Sequence, residues 1–358
     1  MKEVTSPRGL FRYFVILLLI LLGAVGIVYG LAALSVAALD SLNARYMGYY
    51  KDEMKGVSSP WYLNGYHIVD EGFVDELYEM KNWQKDVVNI GSSLSVISFQ
   101  PAITQLSDDY EYRFLVCGNG CWKSDEQLYN LYKVSGSEGK DDIVKLEVSF
   151  STFRDMDVSI TETVIAKWRR YKVNGDNSVT KTSPLLAPVC SLNLQLIRIQ
   201  NVWETGNDCV TQLKERVAQN GISGIFSSKG VEEDIIIPGN FRNNYFNYDT
   251  VASNCHMTSD MQKHMEALID RIDSEHKLVV EFSPLPSGLA QTEYGRQLND
   301  YIDNDLKPYL EEKGIRYLDY RTDYEDDEFC DGVHLGYDAG VRYTRKLTAD
   351  LDSVIKDK

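Results

Sequence analysis

Residues 13–39 form a stretch of 27 residues without one charged side chain, YFVILLLILLGAVGIVYGLAALSVAAL. As a helix it is roughly 40 Å long, more than the ~30 Å hydrocarbon core of a bilayer, so it spans with tilt or with its ends in the interface. No polar face interrupts the run, which argues against a helix packed inside a soluble domain. It is also much longer than the apolar part of a cleaved export signal, so despite the small residues Ala33 and Ala37 it reads as an uncleaved anchor. Lys2, Arg8 and Arg12 precede it, opposed only by Glu3. The positive-inside bias then keeps residues 1–12 in the cytoplasm and sends everything beyond about residue 40 across the membrane.

The exported part carries the charge. The whole chain has 37 basic and 53 acidic residues, a formal net charge of -16, and beyond residue 39 the balance is 34 to 52, or -18. A phosphate backbone would be repelled by such a surface, which excludes nucleic-acid binding driven by bulk positive charge. With 44% hydrophobic residues the chain has the makings of a core, so disorder is excluded too. All six cysteines (Cys117, Cys121, Cys190, Cys209, Cys255, Cys330) lie outside the membrane on this topology. They fit up to three disulfides of undetermined pairing, or unreactive thiols. A zinc site is disfavoured, because Cys117 and Cys121 form a lone C-x3-C and the five histidines are scattered. Neither a metal nor a nucleotide cofactor is expected: Gly118-Asn119-Gly120 is far short of a phosphate-binding loop.

Residues 40–85 form a juxtamembrane segment containing Tyr46, Tyr49 and Tyr50 and a helical pattern at 74–81. From 86 onward, short apolar runs alternate with helical periodicity. The runs are 86–90 (DVVNI), 112–117 (YRFLVC), 142–150, 277–282 (KLVVEF) and 314–319, with helical patterns after the second, up to about 313, and from 337 to 355. This alternation predicts a mostly parallel sheet covered by helices on both faces. The stretch at about 153–275 departs from the pattern. It holds Trp168, Arg169, Arg170, an Asn174-Gly175 turn, a helical segment at 208–220 and the apolar run 234–238, and it reads as an insertion between two strands. Arg169 and Arg170 fit a solvated helix face, and His67, His256, His264 and His276 fit surface or structural positions. Of Trp61, Trp83, Trp122, Trp168 and Trp203, one or two are expected near a site, and the rest in the core.

Polar residues punctuate the strand ends, where ligands sit in such folds. Ser93 lies in Gly91-Ser92-Ser93-Leu94, at the turn between the first strand and a helix. A hydroxyl there is presented at the carboxyl edge of the sheet, and its backbone NH can face developing negative charge. Near the other end stands Asp331-Gly332-Val333-His334-Leu335. An aspartate three residues before a histidine can accept the imidazole Nδ1 proton and leave Nε2 to deprotonate a serine, giving a triad of Ser93, His334 and Asp331.

The two motifs resemble those of the SGNH or GDSL hydrolase superfamily. Gly91-Ser92-Ser93-Leu94 is similar to its Gly-Asp-Ser-Leu signature with serine in place of aspartate, and Asp331-Gly332-Val333-His334-Leu335 is similar to its closing Asp-x-x-His-Leu. The resemblance spans about residues 86–350 and implies a three-layer α/β sandwich. It further implies an oxyanion hole built from the NH of Ser93, a glycine NH after the second strand (Gly118 or Gly120) and an asparagine side chain after the third. No asparagine follows 142–150, so Ser151 or the nearby Asn119 takes that place. Loss of such a donor costs on the order of 3 kcal/mol of transition-state stabilisation.

With a membrane anchor, a GSS-type turn and an insertion, the sequence most resembles the membrane-anchored acyl-transfer members that act on teichoic acids, alginate or cell-wall polysaccharides. That implies an acetyl or D-alanyl acyl-enzyme at Ser93, a cell-envelope acceptor and a membrane-bound O-acyltransferase as partner, against which Gly23, Gly26 and Gly30 allow close helix approach. Two alternatives remain: an anchored carbohydrate esterase with the same triad, and a catalytically silent assembly subunit.

Overall fold

The computed structural model describes residues 7–46, 85–97, 106–107, 110–117, 120–136, 138–154, 171–181, 247–329 and 332–357, with isolated positions between 183 and 218. The expected helix at 74–81, the run 234–238, Trp61, His67, Trp83, Trp168, Arg169, Arg170 and Trp203 lie outside these residues, as does all of 208–220 but position 218.

Helix α1 (Pro7–Tyr46) contains the uncharged run, and its part from Gly9 to Leu34 is long and apolar enough to cross a membrane. Leu17, Ile20, Leu21 and Ile27 are each at least 60% exposed, as a helix with lipid for its solvent would be.

The domain beyond it is α/β. In chain order follow β1 (Asp86–Ser92), α2 (Ser93–Ile97), β2 (Glu111–Cys117), α3 (Trp122–Ser135), β3 (Ile143–Val148), β4 (Tyr171–Val173), β5 (Val179–Lys181), α4 (Tyr248–Ala252) and α5 (Ser259–Glu275). Then come β6 (Lys277–Phe282), α6 (Ser287–Ala290), α7 (Glu293–Tyr301), a wider helical turn (Ile302–Leu306) leading into α8 (Lys307–Lys313), β7 (Arg316–Asp319) and α9 (Tyr337–Lys356). Five strands make one sheet in the order β2-β1-β3-β6-β7, every pair parallel. Strands β4 and β5 form a separate antiparallel hairpin around Asn174-Gly175.

The two faces of the sheet bury different layers. One, with Val88, Ile90, Leu115, Val144, Leu146, Val280 and Phe282, packs on α3, α5 and α7. The other, with Val87, Ile143, Val279 and Leu318, packs on α9 through Ala339, Tyr343, Leu347, Leu351 and Ile355, an i, i+4 stripe. The long segment between β3 and β6 leaves these strands directly paired. Its last element, α5, belongs to the sheet rather than to an excursion from it: Met261, Met265, Leu268, Ile269 and Ile272 recur at helical spacing and are buried in the first core.

Cys121 and Cys255 follow the unreactive-thiol alternative. Cys121 and Cys255 are buried free thiols, so there is no bridge within the C-x3-C and no arrangement of three disulfides. Burial pushes both thiols up, away from reactivity.

Candidate active site

Ser93 is the first residue of α2, immediately past the carboxyl end of β1. The turn is clamped on both sides. The Ser92 hydroxyl donates to Glu147 Oε1 (2.5 Å) and accepts from the Leu94 amide (3.3 Å), and the Ser92 amide donates to Glu147 Oε2 (3.3 Å). Beyond it, the Ser95 hydroxyl donates to the Ser92 carbonyl (3.1 Å) and accepts from Asn89 Nδ2 (2.9 Å). Glu147 reaches the turn across Gly91, where a Cβ would stand 2.7 Å from Glu147 Cβ.

His334 arrives from the far end of the chain. Gly332, at φ 81, takes a backbone conformation that side chains disfavour. Phe329 and Leu335 then pair across the loop, and the Gly336 amide donates to the Glu328 carbonyl (2.7 Å), closing it just before α9. His334 Nε2 lies 3.0 Å from Ser93 Oγ, across 241 residues of sequence. Both side chains are buried, with Ser93 8% and His334 2% exposed. Asp331, expected to orient the imidazole, is outside the described residues, as are Gly118 and Asn119.

The two remaining oxyanion candidates have local duties. The Gly120 amide donates to the Cys117 carbonyl (2.9 Å), closing the turn after β2, so it is not available to a substrate oxygen. Gly120 is instead a contact glycine: a Cβ there would come 3.0 Å from Ser92 Cβ. Ser151 lies in a tight turn after β3 in which the Ser149 amide donates to Thr152 Oγ1 (2.8 Å), and its hydroxyl pairs with Ser149 Oγ at 3.0 Å. The Trp122 amide donates to the Thr152 carbonyl (2.8 Å), tying the β2 and β3 ends together.

Beneath the turn lies a layer of buried charge that sequence reasoning missed. Lys145, Glu147 and Glu281 point to the α9 face of the sheet and are at most 1% exposed. Lys145 pairs with Glu281, which also accepts from the Tyr343 hydroxyl of α9. Burial pushes the Lys145 ammonium down, to about 7, against the pull of Glu147. Asp125, on the first turn of α3, is held well above the usual carboxylate range by burial and then by the Glu147 charge. The only sequence signal for this layer is negative: a charge inside the apolar runs of β3 and β6 reads as a solvent-facing position.

Other sequence candidates fall elsewhere. Trp122 stacks on His264 with ring centroids 4.8 Å apart and packs against the core. His276 is buried beside Glu138 and Glu275, but Lys133 bridges both carboxylates, so an ammonium occupies the place between them that a cation would take.

These elements define an α/β protein with a mostly parallel sheet, preceded by one N-terminal helix able to cross a membrane, with a serine and a histidine in contact at a strand end. No family model matches the sequence, and no curated protein matches it significantly.

Proposed function

We propose that this is a membrane-anchored serine acyltransferase of the SGNH type, single-pass with a cytoplasmic N-terminus, which moves an acetyl or D-alanyl group onto a cell-envelope polymer. The observation that carries the reading is the 3.0 Å contact between His334 Nε2 and Ser93 Oγ, made at the end of β1 by residues 241 apart in sequence. In the first half-reaction His334 Nε2 takes the Ser93 proton as Oγ attacks the acyl carbonyl, and returns that proton to the leaving group, which leaves an ester on Ser93. In the second, His334 takes the proton of a polymer hydroxyl as its oxygen attacks the ester carbonyl, and returns that proton to Ser93 Oγ as the ester bond to Ser93 breaks. This reading assigns the orientation of the imidazole to Asp331 and the oxyanion to the NH groups of Ser93 and Gly118, with Asn119 or Ser151. The apolar helix supports transfer over hydrolysis, since it holds the domain beside a membrane-embedded acyl donor such as a membrane-bound O-acyltransferase. The -18 charge beyond residue 39 makes a neutral polysaccharide as suitable an acceptor as a teichoic acid.

The test is to incubate the detergent-solubilised full chain with a chromogenic acetyl ester and to look for acetyl on Ser93 by peptide mass spectrometry. An adduct that passes to a supplied glycan supports transfer, and one released only to water makes the protein an esterase. Equal turnover by Ser93→Ala sinks both.

A further inference from the structure

We propose that Glu147, on the strand next to β1, is a positioning residue that sets the Ser93 hydroxyl against His334 by holding the hydroxyl and the amide of Ser92. The proposal rests on the acyl-enzyme reading above and concerns how that enzyme is assembled.

Glu147 is 1% exposed, and its two carboxylate oxygens receive the hydroxyl and the amide of the residue immediately before Ser93. A buried carboxylate without donors is costly, so this contact is strongly favoured once the sheet forms. The Ser92 hydroxyl, thus oriented, offers its oxygen to the amide of Leu94, the residue immediately after Ser93. The backbone on either side of Ser93 is therefore fixed through one side chain, and that side chain is fixed by Glu147.

Three features of the surroundings point to the same role. Gly91 leaves open the space through which the carboxylate crosses β1, because any Cβ there would collide with it. Gly120 brings the β2 turn against Ser92 from the other side. The neighbouring carboxylate, Glu281, is occupied by Lys145 and Tyr343, so the lysine of β3 is engaged with Glu281 while Glu147 engages the turn. Tyr343 belongs to the helix that follows His334 and donates to Glu281 of β6, which pairs with Lys145 of β3, so the two neighbouring strands reach the serine turn and the histidine's helix through adjacent carboxylates.

The experiment measures inactivation of the solubilised full chain by a fluorophosphonate, which bonds to an activated serine, with the saturating rate (kinact) separated from the half-saturating concentration (KI). Expected are a kinact lower by about 10-fold in Ser92→Ala and Glu147→Gln and by about 100-fold in Glu147→Ala, as for small misplacements of a reacting atom, with KI unchanged. The double variant Ser92→Ala/Glu147→Gln should be no slower than the slower single, because both act through one contact. Misfolding would lower the fraction of chains labelled and not the rate of those that label, so the labelled amplitude separates the two. Wild-type kinact in Ser92→Ala and Glu147→Gln, or multiplying effects in the double variant, overturns the proposal while leaving Ser93 as the nucleophile. A folded wild type that does not label at Ser93 overturns the acyl-enzyme reading and this proposal with it.

Discussion

At the residue scale, the strength of the candidate site lies in how little freedom Ser93 and His334 have. Both are buried; the amides on either side of Ser93 are hydrogen-bonded, and His334 is followed directly by the Phe329–Leu335 pairing, so the two side chains already stand 3.0 Å apart. His334→Ala should lower acyl-ester turnover by at least about 10³-fold with little change in fold, measured by initial rates and by circular dichroism. Asp86, at the start of β1, gives a pH test independent of catalysis. Burial pushes its carboxyl up to about 7, although Arg113 at 3.5 Å pulls the other way and Asp142 adds to the push. The folded chain therefore keeps this proton up to about pH 7, while the unfolded chain releases it near 3.8. Between those values the folded state binds more protons, so stability falls as pH rises through the window. Denaturant titrations from pH 4 to 8 should show Asp86→Asn gaining on the wild type across it, by on the order of 1–2 kcal/mol.

At the element scale, β1 and β3 do most to build the site, because they are central, buried on both faces and joined in parallel. Gly91→Ala would place a methyl group 2.7 Å from Glu147 Cβ in the middle of that pair. It should cost about 2–3 kcal/mol of stability in a chemical melt and depress Ser93 labelling as well, since the methyl group would also stand 2.7 Å from Oε2 of the carboxylate that holds the turn. The helices contribute to the fold through apolar stripes on opposite faces. Leu268→Ala in α5 and Leu351→Ala in α9 remove buried side chains from the two cores, and each should destabilise by about 2–5 kcal/mol. Effects confined to one of the two would contradict a sheet covered on both faces.

At the scale of the whole molecule, the apolar helix and the acidic domain separate cleanly in composition. The full chain should stay in the membrane pellet after alkaline carbonate and high-salt washes and come out only with detergent, because the exposed leucines and isoleucines of α1 have lipid as their favoured surroundings. Protease added outside spheroplasts should degrade the domain and spare an N-terminal tag; the reverse pattern would invert the topology expected from Lys2, Arg8 and Arg12.

The sequence by itself determined the apolar helix and the sheet strands to within a few residues, and it singled out Ser93 and His334, whose side chains the fold brings together, because each leaves a local signal: an uncharged run, a short apolar run bounded by polar turns, a motif at a strand end. It left open what pairing and burial decide. Whether Gly120 offers its amide depends on the Cys117 carbonyl closing a turn around it. Whether two cysteines bridge depends on where the chain puts them, and Cys121 and Cys255 are buried as free thiols. Ser92 gives the turn no carboxylate of its own; Glu147 brings one from β3, 55 residues along the chain. Charges within strands carry no mark of whether they face water or a helix. Only the stacking of α9 on the sheet turned Lys145, Glu147 and Glu281 inward, where burial obliges them to find partners and ties the candidate site together.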